Sequence, residues 1–164
     1  MSGDSLNLVE ILQIEPFSKT ACSQIPNLPE GFGFGFGGSL DDKALVCREN
    51  ECYTMSPQSM EWAVLDNVPS SLSGVRDPAV VRLSGDRLWI VGGWKNGEAT
   101  DQTWIFTAEG GIEEDVRIGK PVGGHCIFDT MTDEFAIVAG GSDDFFIYNY
   151  ENKTLRNVVS ILQL

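Results

Sequence analysis

The sequence predicts an all-β chain, a partial β-propeller of about three and a half four-stranded antiparallel blades. Three observations predict it. Four short apolar runs separated by turns recur three times along the 164 residues. The second run of each copy ends at Cys47-Arg48, Gly92-Gly93 and Gly140-Gly141, giving spacings of 45 and 48 residues. No segment longer than a turn or two carries a helical period. A sandwich would lack this self-similarity, so radially repeated blades are the expected architecture.

Residues 5–164 read as one propeller segment. In 5–29, V-E-I-L-Q-I and T-A-C-S-Q-I-P match only the third and fourth strands of a blade, so a half-blade is expected. The first blade, 30–67, opens on the alternating run Gly31 to Gly38. There Phe32, Phe34 and Phe36 share one face, and the glycine face lets a neighbour's backbone come close. A phosphate loop would need a following helix, and Asp41-Asp42 would repel phosphate. K-A-L-V-C, C-Y-T-M and E-W-A-V-L supply the remaining strands.

The second blade, 74–117, is P-A-V-V-R-L, R-L-W-I-V-G-G, a polar loop from Lys95 to Gln102, T-W-I-F-T and I-E-E-D-V. Gly92 and Gly93 end its second strand, where a side chain is excluded or a positive φ is wanted. The third, 120–160, is G-H-C-I-F-D-T, E-F-A-I-V-A-G-G, F-F-I-Y-N-Y and L-R-N-V-V. Such an arc leaves strand edges and a blade face open, so it is expected to need further blades or self-association to close the ring.

These residues resemble kelch repeats, of the galactose-oxidase-like class of propeller. The resemblance rests on Gly92-Gly93 and Gly140-Gly141 ending second strands, Tyr53 and Tyr148 on third strands, and Trp62 on a fourth. The C-Y after the Cys47 loop is similar to divergent invertebrate-type kelch proteins. Cys47-Arg48 replaces the diglycine in the first unit, and Trp104 stands on a third strand with no fourth-strand Trp after it. The copper site of this class needs two His and two Tyr. His125 is the only histidine, so copper radical chemistry is not expected, and neither is any other cofactor or metal.

A formal net charge of −13 argues against nucleic acid and against an anionic membrane surface. No window approaches the roughly 20 apolar residues of a membrane-spanning helix. The first ten residues lack the basic and apolar regions of a signal peptide. Cys47 and Cys52 flank R-E-N-E, where a short hairpin places them within disulfide reach; buried free thiols are the other reading. Asn152-Lys153-Thr154 is a glycosylation sequon. The compartment stays open between cytoplasmic and secreted.

No nucleophile elbow accompanies His125, and the acidic turn residues have backbone reasons to be there. Alternating strands put the second-to-third-strand loops on the same face as the links between blades. That face collects Arg48, Arg76, Trp94, Lys95, His125 and Asp143. Exposed Trp and Arg dominate binding hot spots, and the kelch resemblance implies a partner site on this face. The expected function is therefore a non-enzymatic protein-interaction scaffold. The alternative is a carbohydrate-binding or carbohydrate-acting propeller protein with Trp94 as a stacking platform.

Overall fold

The computed structural model describes residues 10–13, 18–21, 26–29, 35–40, 43–48, 50–56, 58–83, 86–132, 134–138 and 145–158. These residues are all-β, with no helix among them. The first pair is β1 (Glu10–Gln13) and β2 (Ser18–Ala21), antiparallel; β1 falls within V-E-I-L-Q-I, while β2 starts at Ser18 and overlaps T-A-C-S-Q-I-P only at Thr20 and Ala21.

Three four-stranded antiparallel sheets follow. The first comprises β3 (Gly35–Leu40), β4 (Lys43–Arg48), β5 (Glu51–Ser56) and β6 (Glu61–Val64), hydrogen-bonded in chain order. Between the first and second sheets lies β7 (Val75–Arg76). The second sheet holds β8 (Ala79–Leu83), β9 (Arg87–Val91), β12 (Thr103–Thr107) and β13 (Gly111–Asp115). Between β9 and β12 run β10 (Trp94–Lys95) and β11 (Glu98–Ala99). The third sheet holds β14 (Cys126–Asp129), β15 (Glu134–Val138), β16 (Phe145–Asn149) and β17 (Thr154–Asn157). Each of the three sequence copies thus folds as one meander sheet.

Packing explains the apolar run of β9. Strand side chains alternate between faces. Leu88 and Ile90 enter a core shared with Leu40, Leu45 and Val75, at the seam between the first and second sheets. Trp89 and Val91 enter a second core with Phe135, Ile137, Phe146 and Tyr148, at the seam with the third. The middle sheet is covered on both faces, so β9 reads as continuous rather than alternating apolar residues. Burying each such side chain stabilises the fold by roughly 1.5–3 kcal/mol. Trp89 also stacks on Tyr148, with ring centroids 5.0 Å apart.

Two expectations are corrected here. Residues 95–102 are not simply a polar loop. They contribute to a small three-stranded sheet, β11-β10-β7, that also recruits the link before β8. The close approach of neighbouring sheets is not made by the glycine face of the Phe-Gly run. It is made on the face of Phe36, where a Cβ on Gly38 would lie 2.8 Å from Leu88. Phe32 and Phe34 lie outside the described residues.

The repeat positions occupy their expected strands. Tyr53 is on β5, with its hydroxyl donating to Glu51 at 2.9 Å. Trp62 is on β6, its indole N–H donating to the Pro26 carbonyl at 3.0 Å, and Tyr148 is on β16. Gly140 and Gly141 lie outside the described residues.

Candidate functional site

The candidate site begins at the second-sheet diglycine. Gly92 and Gly93 have φ of 59° and 102°, the left-handed region that costs an L side chain strain. Space excludes a side chain as well. A Cβ on Gly93 would sit 2.6 Å from the Arg76 carbonyl oxygen, and one on Gly92 would sit 2.5 Å from that of Val122. Hydrogen bonds complete the clamp: the Gly93 N–H donates to Val122 O at 2.8 Å, and the Thr100 N–H to Gly93 O at 3.0 Å. The diglycine therefore turns the chain sharply out of β9 and presses it against both inter-sheet links.

What emerges is the β10–β11 hairpin. Asn96 and Gly97 form its two-residue turn with φ of 54° and 84°, both positive as in the primed turns that suit strand twist. Trp94 pairs with Ala99 on one side and with Arg76 of β7 on the other. Its ring lies on the backbone of Gly123 and Gly124, so closely that a Cβ on Gly123 would fall 2.6 Å from the indole. Trp94 is nonetheless 39% exposed, one of five exposed large apolar side chains among the described residues. Beside it opens a cleft of about 500 Å³, lined by Asn50, Gly74, Arg76, Trp94, Asn96 and Gly97.

The walls are braced from behind. Lys95 Nζ donates to the Ser71 carbonyl at 2.5 Å, and the Trp104 indole N–H to Ser71 Oγ at 2.9 Å. The Ser73 hydroxyl donates to Asn50 Oδ1 at 2.5 Å, tying the link to the tip of the β4–β5 hairpin. That hairpin is closed by the Cys47–Cys52 disulfide, the two cysteines standing directly opposite each other with Cα atoms 4.0 Å apart. Of the two readings left open by the sequence, the disulfide is the one present.

Two of the expected site residues, Trp94 and Arg76, come together on the cleft. Arg48 does not line it; Arg48 stands half-buried across β4–β5 from Glu51, and Asn50 at the hairpin tip takes that place. Lys95 is spent on Ser71. His125 is buried, 9% exposed, immediately before β14, with its ring 3.1 Å from where a Gly92 Cβ would be. Asp143 lies outside the described residues.

Burial pushes the His125 pKa below the usual 6.5. The Val91 carbonyl acts the other way, favouring a ring proton. Neither ring nitrogen has a hydrogen bond of ordinary geometry among the described residues. The ring is therefore neutral at pH 7 and packs behind the glycine clamp.

Asn50, Gly74, Asn96 and Gly97 are site residues that the sequence reading missed. Only Asn96-Gly97 left a signal, the dipeptide typical of a two-residue hairpin turn. Chemically, the cleft offers a flat π surface, one guanidinium and two side-chain amides. That set can stack, hydrogen-bond and attract a carboxylate; it contains no nucleophile and no group poised to exchange protons at neutral pH. Among the described residues no cluster of three or more His, Cys, Asp or Glu is arranged to hold a metal.

Comparison with solved structures supports the fold. The chain is similar to the structure of YjhT, with a TM-score of 0.66 at 13% sequence identity over 83% of this chain. It spans 54% of that chain, about half its length. No family model and no curated protein matches the sequence.

Proposed function

We propose that the chain is an arc of a kelch-type β-propeller, about three and a half blades, and a non-enzymatic module that binds a protein partner through the Trp94 cleft. The meander sheets stacked face to face, the repeat at 45 and 48 residues and the diglycine at the end of β9 support the propeller reading. One observation carries the binding reading. Trp94 is held half-exposed on the Gly123–Gly124 backbone beside Arg76, at the edge of a cleft of about 500 Å³. Part of the indole stays open to solvent although Gly123 beneath it is buried, and a rigid, partly exposed Trp next to an Arg is the composition of a binding hot spot.

Affinity capture with the wild-type chain is expected to yield a defined protein that Trp94→Ala and Arg76→Ala each lose, with thermal unfolding of both variants cooperative. Equal capture by the variants refutes the reading. A specific observation also favours a second reading, a carbohydrate ligand. The cleft combines a stacking ring with the amides of Asn50 and Asn96 and one Arg, a set that suits a sugar's apolar face and hydroxyls. Glycan-array binding lost in Trp94→Ala, without protein capture, selects that alternative.

A further inference from the structure

We propose that Asn152 is an acceptor for an N-linked glycan. Asn152-Lys153-Thr154 is the one Asn-X-Ser/Thr triplet in the chain, with X other than proline. It forms the turn between β16 and β17, with Asn152 and Thr154 exposed and Lys153 at φ 57°. The side chains are sorted by that turn. Lys153 folds inward, its ammonium 3.3 Å from the centroid of the Tyr150 ring and 3.5 Å from Asp115. Asn152 and Thr154 are left facing water.

The amide is also oriented. Asn152 Oδ1 accepts from the Thr154 N–H at 3.2 Å and from the Thr154 hydroxyl. Both donors draw charge onto Oδ1 and make the protons of Nδ2 easier to lose. Nδ2 itself donates to no acceptor among the described residues. It is the atom that attacks. Nδ2 forms a bond to the anomeric carbon of a lipid-diphosphate-linked oligosaccharide while the carbon–oxygen bond breaks. The bonding electron pair leaves with the diphosphate, and the amide proton passes to a base of the transferase.

Two further observations fit. The Cys47–Cys52 disulfide belongs to an oxidising compartment, the same lumen in which such transferases act. The β16–β17 turn also lies at the opposite end of the sheets from the loops bearing Trp94, because strand direction alternates. A bulky, solubilising glycan there leaves the cleft open.

The test uses the full chain carrying a cleavable signal peptide in a eukaryotic secretory pathway, read by intact mass before and after peptide N-glycanase. The wild type is expected to carry one glycan, released by the enzyme with conversion of the asparagine to a carboxylate. Thr154→Ser keeps it, while Asn152→Gln and Thr154→Ala lose it without losing the disulfide. Unmodified Asn152 in chain that has entered the lumen and closed Cys47–Cys52 overturns the proposal, whether that chain is secreted or retained.

Discussion

At the scale of single residues, Gly93 and His125 are the most constrained positions behind the cleft. Alanine at Gly93 meets two penalties at once, a positive φ and a Cβ 2.6 Å from the Arg76 carbonyl oxygen. Backbone strain of this kind costs about 1–3 kcal/mol, and the clash adds to it. Gly93→Ala is therefore expected to lower the unfolding free energy from urea titration by at least that amount, whereas Gly97→Ala, with nothing near its Cβ, costs only the strain.

For His125 the sign follows from burial. Its folded pKa is below the unfolded 6.5, so the unfolded chain binds more protons in the window between the two. Stability from this group is present above pH 6.5 and is lost as pH falls toward the folded pKa. Because it is the only histidine, a wild-type slope of stability against pH just below 6.5 that vanishes in His125→Gln would isolate it. An unchanged slope would place the titration elsewhere. Tyr148 and Tyr150 give the alkaline counterpart. Burial first, then the Asp115 carboxylate, pushes both up to about 12. Absorbance titration should show two of the three tyrosines ionising near there.

At the scale of elements, the β4–β5 hairpin matters because its tip supplies Asn50 to the cleft. The Cys47–Cys52 bond closes a loop of only a few residues, with a sequence separation of 5. Chain-entropy reasoning assigns such a loop about 2 kcal/mol. The double variant Cys47→Ala/Cys52→Ala is expected to lose about that much in urea titration, and the wild type in reductant should match it. A hairpin indifferent to both would show that cross-strand packing alone sets its conformation.

The same scale shows what the sequence made legible. Strands betray themselves by apolar runs between turns, and all three four-stranded copies are readable that way. The β10–β11–β7 sheet is not. Its strands are two residues each, too short for any period, and they pair across a link that the sequence separates by some twenty positions. Arg76 and Trp94 were found by residue type, a guanidinium and an indole in loops of one face. Asn50 and Gly74 were missed because turn residues look alike whether or not a cleft lies beside them.

At the scale of the whole molecule, β9 of the middle sheet links the packing of all three four-stranded sheets. Its two faces feed two cores, so Leu88 to Val91 are all buried. Among the described residues the third sheet has less cover: Phe128 on β14 is 55% exposed. A sheet that presents a large apolar side chain to water in this way is expected to self-associate as concentration rises, read by sedimentation velocity, with Phe128→Ser shifting the distribution toward monomer. A concentration-independent monomer in both would mean that the exposed side chain is tolerated in water.

Recognition of a partner by the Trp94 cleft is tested by placing a photo-crosslinking side chain at Asn96, on the cleft wall, and another at Glu151, in the β16–β17 turn at the far end of the sheets. A crosslinked protein product from position 96 alone, abolished by adding Trp94→Ala, is the predicted result. Crosslinking from 151 but not 96, or crosslinking from 96 that survives Trp94→Ala, would contradict it.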